Sequence, residues 1–185
     1  MSIALVENHL VELTAEHFGS TLRADALPSA MNIGLLKSLI PTAPAVYWAF
    51  LGGRYAKADE PCIDARWVAY VMTRHVGSTE ARRHGDKTTI GAYPVIAHLA
   101  GRFHDRPVPD MGFLKLRDVN NLFSMQLEAS FKSSLYAITF ELLGMPLSES
   151  LDEDKGVPLS ELYLGLAPEI GKEHESDYEL VEDVL

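Results

Sequence analysis

Arg82 to Gly91 read RRHGDKTTIG, two arginines, a histidine and a lysine gathered around a glycine in a chain of net charge −10. Arginine forks pair with phosphate oxygens two at a time. Gly77 and Gly85 let a backbone come close to a ligand. Thr88 and Thr89 stand where a helix would start, and the free N–H groups and dipole of a helix start favour an anion. Arg74, one helical turn earlier, can join Arg82, Arg83 and Lys87, and Arg102 and Arg106 carry the positive bias further along the chain. The chemistry these residues suggest is a phosphate-backbone track with no base preference, because phosphates look alike in every sequence. The plainer alternative is a solvated face whose arginines pair with the chain's own carboxylates. The loop alone does not choose between them.

Other chemistry is less supported. His75, His84, His98 and His104, with Asp86 and Asp105, share one stretch, but none of them has the helical spacing or HExxH pattern of a metal site. Cys62 follows a proline in an acidic loop, a setting that raises rather than lowers a thiol pKa. No GxSxG elbow or Gly-rich phosphate loop is present. The expectation is therefore a non-catalytic protein without metal or cofactor. A small hydrolase built on His75, His84 and His98 stays as a third reading.

Charge is unevenly spread. Residues 1–63 carry four Lys+Arg against six acids, residues 64–132 carry ten against seven, and residues 133–185 carry two against thirteen. Such asymmetry suggests an interaction surface together with a solvating tail. With 185 residues, 47% of them hydrophobic, the chain can bury a core. No apolar run approaches the roughly 18 residues of a membrane span, the opening glutamates do not suit a signal peptide, and a single cysteine excludes a disulfide framework. These features point to the cytoplasm.

The elements that would position these residues read as helices. Leu5, Val6, Leu10 and Leu13 predict a helix over 3–18, stopped by Gly19. Met31 to Ile40 predicts a short one. AVYWAFL after Pro44 and ARWVAYVMTRHV after Asp64 predict a third and a fourth. A further helix starts at Thr88 or Thr89, with a kink at Pro94 or a restart near Tyr93. HDRPVPD reads as a linker. Leu127, Phe131, Leu135, Ile138 and Leu142 draw an apolar stripe at steps of four, four, three and four, which predicts one long helix ended by Gly144 and Pro146. Tyr47, Trp48, Phe50, Trp67 and Tyr70 fit core packing better than base stacking. The expected fold is all-α, a bundle of two helical units over 1–103 and 111–170 with an acidic tail over 171–185.

The order of Leu22-Arg23, Pro44-Ala45 with Tyr47, the segment Trp67 to Val76, RHGDKTTIG and the segment through Phe131 and Leu142 resembles the CasB family, the small subunit of the type I-E CRISPR complex Cascade. That resemblance implies a non-catalytic subunit of a ribonucleoprotein, self-associating and contacting other subunits, the crRNA and the target DNA backbone. Arg82, Arg83 and Lys87 would be phosphate contacts, with Arg74, Arg102 and Arg106 as further ones. The competing reading, from the acidic C-terminal third, is a protein-interaction adaptor or a phage-encoded inhibitor that offers its acids as a nucleic-acid mimic.

Overall fold

Three stretches expected as helices are strands, and the chain is mixed α/β rather than all-α. AVYWAFLGGRYA, CIDARWVAYVMTR and SSLYAITFELLGMP are dense in Val, Ile, Tyr, Trp, Phe and Thr, side chains that fit a pleated surface. They form the long antiparallel strands β2 (Ala45–Ala56), β3 (Cys62–Arg74) and β6 (Ser133–Pro146). With β1 (Arg23–Ala26), β4 (Pro107–Val108) and β5 (Gly112–Asn121) they make a six-stranded sheet in the order β1-β2-β3-β6-β5-β4. All neighbours pair antiparallel except β1 with β2.

This computed structural model describes residues 3–56, 61–75, 77–123, 125–147, 163–164 and 179–180. The stretch LSELYLGLA, whose sequence also reads as a short helix, and the acidic tail over 171–185 fall outside the described residues, apart from Tyr163–Leu164 and Glu179–Leu180, which pair with each other antiparallel. The chain divides into two compact units, Met1–Glu149 and Ser150–Leu185. Residues 104–110, read from the sequence as a linker, lie inside the first unit as the turn into β4 and out of it.

The physical reason for the misreading is that the central strands are buried on both faces, so they read as continuous apolar runs. Val46, Trp48, Trp67, Ile138, Phe140 and Leu142 belong to the core on one face. Ala45, Tyr47, Met72 and Leu135 belong to the core on the other. The apparent helical step from Leu135 to Ile138 is a step across the sheet. Gly19 follows the end of α1 as expected, whereas Gly144 and the pair Gly52-Gly53, which also read as helix stops, sit in strands. Gly52 lies at a bulge in β2, and a Cβ on Gly53 would meet Ile63 Cδ1 at 2.7 Å. Pro44 follows a cis bond and leads directly into β2.

Two helices cover the first face. In α1 (Ile3–Phe18), Val6, Leu10 and Thr14 recur every four residues and face the sheet. Thr14 Oγ1 donates to Leu10 O at 2.7 Å and accepts the Trp48 indole N–H at 2.8 Å, so the indole is satisfied at full burial. In α4 (Ala92–Phe103), Ala92, Val95, Leu99 and Phe103 form the buried stripe, and the rings of Phe103 and Phe140 lie 5.3 and 5.6 Å from that of Trp48. Pro94 falls in the first turn of α4, where its missing N–H costs nothing, so the helix starts at Ala92, beside the restart expected near Tyr93, and not at Thr88 or Thr89. The short helix α2 (Ile33–Leu39), capped by the Asn32 side chain on Leu35 N–H, covers part of the second face with Leu36 and Leu39. The remaining helices are α3 (Thr79–His84) and α5 (Met125–Phe131), the latter standing where the first part of the long helix was expected.

Candidate functional site

The cationic loop is folded around its own chain. Arg82, in α3, has a side chain only 6% exposed. Its guanidinium donates to His75 O at 3.2 Å and to Thr79 Oγ1 at 2.5 Å, while its Nε lies 3.7 Å from Glu128 Oε1 with no hydrogen-bond partner of its own. Arg83 donates to Glu128 Oε2 at 2.9 Å, and the Ser134 hydroxyl donates to Glu128 Oε1 at 3.1 Å. Glu128 is itself buried, so this cluster ties α3 to α5 and to the start of β6. The Glu128 hydrogen bond raises the Arg83 pKa above the ordinary guanidinium range. Beside it, burial pushes the Tyr136 phenol up to about 12.

The expected anion-binding helix start is likewise turned inward. The backbone N–H and hydroxyl groups of both Thr88 and Thr89 all donate to Asp86 Oδ1, at 2.7 to 2.9 Å. Those hydrogen bonds hold the Asp86 carboxyl far below its usual range. Its other oxygen meets His75 Nε2 at 2.9 Å, and His75 Nδ1 accepts from Gly77 N–H and Ser78 N–H, which places the ring proton on Nε2. Gly85 bridges to Ile90, and a Cβ on Gly91 would land 2.1 Å from Gly85 N and 2.5 Å from Arg83 O, so only glycine fits that crossing. Lys87 and Arg74 point to solvent, and neither has an ion pair among the described residues.

The histidines do not form one cluster. His75 meets Asp86, His84 packs edge-on against Tyr93, His98 stacks on His17 and His104 meets Asp105. Among the described residues, no three His, Cys, Asp or Glu side chains converge as metal ligands would. Cys62 is buried, its thiol 3.8 Å from Ala56 O.

The other two candidate cations come together elsewhere. Arg102 and Arg106 line a cleft between α1 and α4 with Leu13, Glu16, His17 and Phe103, about 120 Å³ in volume. The His17 and His98 rings stack at 3.7 Å along one side. Partial burial, then the nearby His17 and Arg102, lowers the His98 pKa. Sequence reasoning found the two arginines but not Glu16 or His17. The only local hint was the one-turn spacing of His98 and Arg102 on the exposed side of α4, and nothing local ties them to α1.

The sheet contributes a third feature, an open edge. β4 covers β5 only at Gly112 and Phe113, and Leu116 N–H is capped by His104 Nδ1 at 3.1 Å. Beyond that point no described strand pairs with the outer side of β5. Leu122 N–H donates inward to Leu135 O, so by the two-residue alternation the backbone groups of Val119 and Asn121 point outward. Val119 and Leu122 are each 42% exposed. Arg117 is the extra residue of a bulge in β5 and pairs with Glu141. On the uncovered part of the second face, Arg66, Glu141 and Lys115 stand side by side in register across three strands. Among the described residues no helix is long and apolar enough to cross a membrane.

Comparison with known proteins replaces the resemblance to CasB, and with it the CRISPR and Cascade reading. None of the curated proteins compared with the chain matches it. The family model described as bacteriophage Mu, Gp37, matches residues 2–143, which takes in both helices on the first face and nearly all of the sheet. The chain belongs to the bacteriophage Mu Gp37 family.

Proposed function

We propose that this member of a phage protein family works by binding other protein chains, and that the open edge of β5 takes up an extended segment of a partner as an added strand. The observation that carries this reading is the outward row of backbone donors and acceptors at Val119 and Asn121, next to the exposed side chains of Val119 and Leu122. An unpaired strand edge is a template for another strand. Each backbone hydrogen bond gained there contributes about 0.5–1.5 kcal/mol net, and the two apolar side chains add burial. The Arg117 bulge and the charged Asp118 shorten the pairing length, which keeps a functional edge from pairing indiscriminately.

Co-expression of the tagged chain with the reading frames beside it in its own genome, followed by purification, tests this. A partner should be retained, and amide exchange at Val119 and Asn121 should slow in the complex. Val119→Pro removes one outward N–H while leaving the β6 ladder intact, and should release the partner with little loss of fold stability. A complex that survives this substitution with unchanged exchange, or no retained partner at all, refutes the proposal. The inhibitor version, which rests on the thirteen acids of residues 133–185, instead requires that deleting residues 171–185 release the partner.

A further inference from the structure

The arginines of the described residues fall into two groups. Arg23, Arg82, Arg83 and Arg117 all have carboxylates close by, at Asp25, Glu128, Glu128 and Glu141. Arg54, Arg66, Arg74, Arg102 and Arg106 have no ion pair among the described residues, and of these five Arg102 and Arg106 line the same cleft, with Glu16 lining it beside them. Arg106 is partly buried, a position in which a guanidinium gains from an acceptor. In a molecule of net charge −10, two arginines left unpaired around a concavity form a local positive site that the global charge conceals.

We infer that the cleft between α1 and α4 binds a phosphate group, gripped by the guanidinium forks of Arg102 and Arg106 with His17 as a further donor. A cleft of about 120 Å³ has room for one phosphate together with water. Leu13 and Phe103 form an apolar floor that lowers the local dielectric and strengthens the ion contacts. The stack on His98 fixes the plane of the His17 ring, so its donor is held in place before the ligand arrives. Glu16 limits affinity and sets a direction, because a phosphate avoids its side of the cleft. The proposal is independent of the β5 edge, and either can fail without the other.

The phosphate could come from the free ion or from a nucleic-acid backbone, and the arms of the experiment separate the two. The full chain is titrated with inorganic phosphate, with a single-stranded oligonucleotide lacking terminal phosphates, and with sodium chloride at matched ionic strength. Ring signals of His17 and His98 are followed by NMR. Bound phosphate adds negative charge to a site whose titratable and charged groups are Glu16, His17, His98, Arg102 and Arg106, so both rings should move toward their protonated positions. A saturating shift with phosphate assigns the free ion, and one with the oligonucleotide alone assigns the backbone. Each supports the site.

Arg102→Ala and Arg106→Ala should each weaken binding on the order of tenfold, since a hydrogen bond to a charged group is lost. Arg106→Lys, which keeps the charge and loses the fork, should fall between. Lys87→Ala, in the loop of the α3 region, should change nothing. Shifts reproduced by chloride, no saturation with either ligand, or equal weakening by Lys87→Ala overturns the inference.

Discussion

Glu128→Gln is the substitution that most directly tests why this acidic protein gathers arginines in α3. The Glu128 side chain is 6% exposed and serves three groups: Arg83 at 2.9 Å, Ser134 at 3.1 Å and the Arg82 Nε at 3.7 Å. Gln is nearly the same size, so no cavity forms and the change isolates the charge. It leaves the buried Arg82 and the one-third-exposed Arg83 adjacent with no counter-charge between them. Removing one member of a buried ion pair costs about 3–5 kcal/mol, and the partial exposure of Arg83 puts the expectation near the low end. About 3 kcal/mol corresponds to a fall in Tm of roughly 6–12 °C for a unit of this size. Urea unfolding followed by circular dichroism measures the cost. Because the pair is buried, the cost should persist at about 1 M salt, where the Debye length is about 3 Å. Arg83→Ala alone should cost much less, about 1 kcal/mol. A Glu128→Gln loss below about 1 kcal/mol, or one that salt abolishes, would mean that the arginines are effectively solvated and free for a ligand.

Thr14→Val should cost about 1–3 kcal/mol in urea unfolding, because the fully buried Trp48 indole loses its only acceptor; a neutral result would show that water reaches the indole. Asp86→Ala should loosen the 75–91 loop in a pH-dependent way. The native carboxyl titrates below its ordinary value of 3.8, so its contribution is complete above that value and is lost as pH falls toward the depressed native one. The stability gap between wild type and variant should therefore shrink from pH 7 to strongly acidic solution, and a gap that widens there refutes the assignment.

The sequence determined the pieces whose pattern is local. The four-residue recurrence of Val6, Leu10 and Thr14 makes α1 a helix over the residues predicted for it, because each of those side chains meets one face of a single neighbour, the sheet. That Trp48 and Trp67 enter the core also follows from residue type, because large apolar side chains leave water wherever a core exists. The charge division along the chain is also a property of the sequence alone. None of these needed a partner distant in the chain.

Tertiary structure decided the rest. Whether Leu135, Ile138 and Leu142 belong to a helix or a strand depends on what lies on each side of them, and a strand covered on both faces hides its alternation. Arg82 and Arg102 are the same residue type with opposite fates. One meets Glu128, forty-six positions away, while the other shares a cleft with Glu16, eighty-six positions away, without pairing to it. An arginine's role is set by which carboxylates the fold brings within about 4 Å of it, and that distance is fixed by sheet and helix packing rather than by neighbours in the chain.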